Sequence, residues 1–212
     1  MKLKTSRVID FFLLQKDFYS KLNDKNMWLY IGIVLVGIRD VGLGVLGLSL
    51  ASADKPAIVF NLKTGAVLVA AAILIGLIDV VCFSYPVFDI INHFKKRSGN
   101  NSMPVGTSYT SILTKVMKVY IVVNIILTPL NLLGYYTLYL SNSMNWLTMM
   151  YITAVLDIIA YFWFNGAITR GLCVLFKLPS GARSLVFMLV FLWNALLSEA
   201  LALLFSMVIH RL

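Results

Sequence analysis

The stretch Met27-Trp-Leu-Tyr-Ile-Gly-Ile-Val-Leu-Val-Gly-Ile-Arg-Asp-Val-Gly-Leu-Gly-Val-Leu-Gly-Leu-Ser-Leu50 decides the fold. Only Arg39 and Asp40 interrupt an apolar run that exceeds the roughly 20 residues a helix needs to cross a bilayer core. A helix satisfies its own backbone N–H and C=O groups, which is the condition for crossing lipid. Four further stretches repeat the pattern, near Thr64–Ile91, Thr110–Leu140, Asn145–Ile168 and Ser184–Met207. The third is overlong and is expected to break or tilt around Pro129. The separators are polar or rich in helix breakers: Ser52-Ala-Asp-Lys-Pro56, Lys95-Lys-Arg-Ser-Gly-Asn-Asn-Ser102 ahead of Pro104, Ser141-Asn-Ser143 and Leu178-Pro-Ser-Gly181. The expected fold is an all-α, polytopic transmembrane bundle. Its five spans occupy residues 26–212, behind an interfacial amphipathic helix at 1–25.

Composition agrees. Of 212 residues, 60% are hydrophobic and 13% charged, and the mean hydropathy of +0.87 lies outside the range of soluble domains. The net charge of +9 does not point to nucleic acid, because the basic residues flank apolar runs instead of lining one polar surface. They also orient the chain. With five spans and a cytoplasmic N-terminus, the cytoplasmic segments carry Lys2, Lys4, Arg7, Lys16, Lys21, Lys25, Lys95, Lys96, Arg97, Lys115, Lys118, Arg170, Lys177 and Arg183. The outer segments carry only Lys55, Lys63 and Arg211. That bias matches the positive-inside rule and predicts a C-terminus outside, in a bacterial cytoplasmic membrane. No cleavable signal is expected, since Asp10, Lys16 and Asp17 interrupt the first apolar residues.

Ahead of the first span, Val8, Phe11, Phe12, Phe18, Tyr19 and Leu22 recur at helical spacing, with Asp10, Asp17, Lys21 and Asp24 opposite. Lys4, Arg7, Lys16, Lys21 and Lys25 are the candidate membrane-surface residues, suited to anionic headgroups. Trp28, Tyr30, Trp146 and Tyr151 fall near predicted interfaces as belt residues.

Four of the nine acids, Asp40, Asp79, Asp157 and Glu199, lie well inside four different spans. A charged residue at a helix centre costs about 2.5–3.5 kcal/mol on insertion scales, so such residues turn inward and find partners. Small residues share their faces: Gly37, Gly44 and Gly47 with Asp40, Gly76 and Cys82 with Asp79, Ala195 and Ala202 with Glu199. Asp157 shares its face with Ala154, Tyr161 and Asn165. These are the marks of helix–helix contacts. Arg39, Asp40, Asp79, Asp157, Asn165, Asn194 and Glu199 form the candidate intramembrane polar cluster. Either it packs the bundle, with Arg39 and neutral polar groups satisfying the acids, or it conducts a proton, a cation or an amine. A single arginine cannot neutralise four acids.

Catalytic motifs are missing: the sequence holds no HExxH, GxSxG, Walker loop, dinucleotide fingerprint or Cys/His metal spacing. His93 and His210 fall at opposite ends of the topology, and Cys82 and Cys173 read as free thiols. The glycines at 32, 37, 42, 44 and 47 lie within a span and fit close packing, not phosphate binding. No metal, cofactor or enzymatic activity is expected. The expected partners are the bilayer and other membrane proteins or a second copy. A small solute or cation is a partner only under the conducting alternative.

Lys16-Asp-Phe-Tyr-Ser-Lys-Leu22 with Trp28, Tyr109-Thr-Ser-Ile-Leu113 leading to Pro129, and Gly171-Leu172 with Pro179-Ser-Gly-Ala-Arg183 complete a layout over residues 10 to 208. That layout resembles the Yip-type family of Rab-interacting five-span membrane proteins, in its small bacterial version. The resemblance implies a non-enzymatic assembly, scaffold or membrane-organising factor. The chain lacks the Asp-Leu-Tyr-Gly-Pro and Gly-Tyr motifs of eukaryotic members, and no functional residue carries over. The alternative is a small ion- or proton-coupled transporter, or the membrane subunit of one, built on the mid-membrane carboxylates.

Overall fold

The computed structural model describes residues 14, 16–20, 22, 26–51, 61–97, 109–140 and 146–209. Helix α1 spans Lys16–Ser20, α2 Asn26–Ala51, α3 Leu62–Arg97, α4 Tyr109–Leu140, α5 Trp146–Leu175 and α6 Arg183–Ile209, with a 3-10 turn at Ser180–Ala182. The described residues contain no strand. Helices α2 to α6 are long and apolar enough to cross a membrane, as the five predicted spans require.

Their boundaries follow local chemistry. Asn61 starts α3 by accepting the Thr64 backbone N–H at 2.8 Å and the Thr64 hydroxyl at 3.0 Å, which satisfies orphan donors of the first turn. That helix runs beyond the predicted Ile91 to Arg97, since nothing in Asn92–Arg97 breaks a helix leaving the apolar layer. Helix α5 likewise passes the predicted Ile168 and ends at Leu175. Its stop is a Schellman turn: Leu178 N–H bonds to Cys173 C=O at 3.0 Å and Lys177 N–H to Val174 C=O at 3.3 Å. Lys177, with φ of 51°, takes the left-handed place usually held by glycine, and Pro179 follows. Helix α4 stays helical through Pro129 instead of breaking there; spanning helices tolerate the lost N–H where neighbouring groups re-satisfy the backbone.

The spans form a ring in the order α2, α3, α6, α5, α4, each packed on the next, and α3 also touches α4 across the middle. Glycines set the closest approaches. A Cβ on Gly37 would lie 1.7 Å from the Ala72 carbonyl oxygen, and one on Gly76 would lie 2.3 Å from that of Ile33. The glycine face of α2 is thus used within the chain. Across the middle, Phe83 of α3 stacks on Tyr120 of α4 with ring centroids 4.0 Å apart. Phe164 of α5 meets Tyr120 edge-on at 5.8 Å.

Beyond this aromatic layer, toward the ends rich in lysine and arginine, the interior is solid. Val87, Phe88, Val119, Ile168, Leu172 and Val190 are fully buried there. Helix α1 joins that half: Tyr19 is fully buried, lies over Gly171, where a Cβ would come within 2.9 Å of its ring, and donates its hydroxyl to Ala167 C=O at 2.9 Å. Burial pushes the Tyr19 hydroxyl above its usual pKa range. The described part of the chain ahead of α2 is therefore fastened to the bundle. Lys4, Arg7, Lys21 and Lys25 lie outside the described residues, and Lys16 begins α1.

Candidate functional site

On the other side of the aromatic layer the ring encloses a half-open cavity of about 440 Å³, to which all five spans contribute. It extends from mid-bundle toward the end where α2, α4 and α6 finish, as Gly44, Tyr135 and Phe205 in its wall show. Its polar lining comes from Arg39 and Asp40 on α2, Asp79 on α3, Tyr120, Asn124, Asn131 and Tyr135 on α4, Asp157 and Tyr161 on α5, and Asn194 and Ser198 on α6. The volume is within the range of small-molecule sites, about 300–1,000 Å³.

A connected polar chain crosses the floor. Arg39 Nη1 donates to Asp40 Oδ1 at 2.8 Å and to Asn124 Oδ1 at 2.7 Å. Asn124 turns its amide to Tyr120 C=O at 3.1 Å, and the Tyr120 hydroxyl donates to Asp79 Oδ1 at 2.7 Å. Asp79 is only 3% exposed. The Arg39–Asp40 pair is largely shielded. Asp40 and Asp79 also approach each other within hydrogen-bonding reach.

The geometry of that approach follows from the helices. Asp40 lies three residues after Gly37 and Asp79 three residues after Gly76, so the acids fall on opposite sides of the glycine crossing of two antiparallel helices. Side chains lean toward the N-terminus of their own helix. In antiparallel neighbours they therefore lean toward one another, and the carboxyls converge.

Asp157 stands apart. Its carboxylate has no hydrogen-bond or ion-pair partner among the described residues. It also borders a second recess of about 290 Å³ with Asn131, Gly134, Tyr135 and Thr153. Tyr161 donates to Phe191 C=O at 3.0 Å and lies within reach of the amides of Asn165 and Asn194.

Of the predicted cluster, Arg39, Asp40, Asp79, Asp157 and Asn194 line the cavity. Asn165 is fully buried one turn from Tyr161, donates to Tyr161 C=O at 2.8 Å, and is not in the wall. Glu199 is on the outer surface of α6, away from the cavity. The sequence reading left out Tyr120, Asn124, Asn131, Tyr135 and Ser198. A signal was available for the first four, since spacings of 4, 7 and 4 keep a polar stripe on one face of an otherwise apolar α4.

Three acids and one arginine line the cavity. No group of three or more His, Cys, Asp or Glu side chains among the described residues converges as a metal site would require. No family model, curated protein or solved structure matches the chain, so the Yip-type resemblance has no support beyond the arrangement of its spans.

Proposed function

We propose that this chain is a non-enzymatic integral membrane protein that receives a small cation or cationic solute in the cavity between its spans, as a transporter or the membrane subunit of one. The observation that carries the reading is the surplus of carboxylates in a half-open cavity at mid-bundle. Mid-membrane acids that only pack would be expected to sit walled off and satisfied, whereas Asp157 borders open space without a partner. Intramembrane ionisable residues that face cavities mark solute and ion pathways. The aromatic floor and the packed half beneath it would then be the closed gate of a one-sided state.

The test uses a Ser198→Cys variant in which Cys82 and Cys173 have been replaced, held in lipid discs. A trimethylammonium methanethiosulfonate should modify it several-fold faster than the sulfonate analogue, and Asp157→Asn should shrink the preference. Equal rates, or faster modification by the anion, would contradict cation selection.

Glu199 favours assembly as a second reading. It lies on the outer face of α6 with no partner among the described residues, about 6 Å from the middle of the span at 1.5 Å per residue. An acid exposed there calls for a polar or basic group from another membrane helix. Under this reading Glu199→Leu weakens co-purification with a partner and leaves thiol labelling in the cavity unchanged.

A further inference from the structure

The meeting of Asp40 and Asp79 has a chemical consequence that the cavity alone does not. Asp40 Oδ1 is taken by Arg39 and Asp79 Oδ1 by the Tyr120 hydroxyl. Asp40 Oδ2 is fully buried and receives no hydrogen bond from any group among the described residues, while the carboxyl of Asp79 lies within hydrogen-bonding reach of that of Asp40. Carboxylate oxygens are acceptors only, so two ionised carboxyls in this position would have no donor between them and would repel.

We propose that Asp40 and Asp79 form a proton-binding site that holds one exchangeable proton between their carboxyls, reached through the cavity. Charge balance leads to the same place. Arg39 compensates one of the two negative charges, and no other basic side chain among the described residues lines the cavity. The titratable groups that share the cavity with the pair are Arg39 on α2, Tyr120 and Tyr135 on α4, and Asp157 and Tyr161 on α5; among the described residues of α6 the polar lining groups are the uncharged Asn194 and Ser198. Asp157 is the remaining acid, and it lacks the close carboxyl partner that makes sharing compulsory. With the proton bound, Asp79 or Asp40 donates to the other and the repulsion between the two carboxyls is removed. When the proton leaves through the cavity, a second negative charge appears beside the space a cation would occupy. The proton-binding site stands on the acid pair alone, while its exchange for a cation rests on the cavity reading above.

Infrared spectroscopy of the full chain in lipid discs tests this. The expected result is a protonated-carboxyl C=O band at neutral pH that shifts in D₂O and falls reversibly as the pH is raised. It should vanish in Asp79→Asn, whose amide can donate to Asp40 in the proton's place and so keep the fold, and persist in Asp157→Asn. Thermal unfolding of each variant confirms that it is folded. Absence of the band in the wild-type protein, as a sodium ion bridging two carboxylates would produce, overturns the proposal. So does a band that survives Asp79→Asn, or one that never titrates over the stable range and therefore reports an inert buried acid. A titrating band together with failed cysteine labelling in the cavity would uphold the proton site and remove the cation reading.

Discussion

The two halves of the bundle are built from the same five helices and have opposite interiors. In the half bearing the basic termini, Val87, Phe88, Val116, Val119, Ile168, Leu172 and Val190 are at most 1% exposed and fill the interior with apolar side chains. In the other half the positions facing inward are Gly44, Asn131, Tyr135, Asp157, Ser198 and Ala202, which leave a cavity. Between spans there is little hydrophobic force to gather helices, since lipid tails are as apolar as leucine, so close packing holds them. The solid half can therefore carry the bundle's cohesion while the polar half stays open. The glycine crossing of α2 and α3 joins the two and brings Asp40 to Asp79.

The strongest way to break this division is at the crossing. Gly37→Ala places a methyl against the Ala72 backbone, which cannot yield as a side chain can, and should cost about 3 kcal/mol or more. Gly42→Ala, with nothing within 4 Å, should unfold at the wild-type temperature. Thermal unfolding in detergent distinguishes them, and equal losses would mean that the crossing is not what holds α2 to α3.

Next come the aromatic residues. Phe83→Ala removes the floor ring stacked on Tyr120 and should cost on the order of 3 kcal/mol. Phe205→Ala, half-buried at the open end, should lose clearly less in the same unfolding assay. Comparable losses would show both halves to be equally packed. The smallest effect belongs to Tyr19→Phe. Losing its hydroxyl's bond to Ala167 C=O should cost about 1 kcal/mol and speed proteolysis of the chain ahead of α2 without altering reagent access to the cavity.

Spans could be read from the sequence because long apolar runs and the placement of lysine and arginine are independent signals that agree. Asp40, Asp79 and Asp157 stood out for a similar reason, as costly residues in an apolar setting. Their meeting did not, because it depends on which residues of α2 and α3 cross and on the opposite lean of side chains in antiparallel helices. Glu199 shows the same limit. On a helix apolar nearly all round, periodicity does not say which side turns inward, and Glu199 lies outside while Ser198, next to it, lines the cavity. The end of α5 was obscured because Lys177 takes the position where glycine would have announced it.

The central claim is that one half of the bundle is sealed and the other admits solutes. A single-cysteine scan along α6, in protein without Cys82 and Cys173 and with an impermeant hydrophilic thiol reagent, tests it most directly. Modification is expected at positions 198, 202 and 205, with none at 186 and 190 on the buried face or at 196 and 203 on the lipid-facing side. Silence at 198, or reaction at 190 as fast as at 198, would contradict the account.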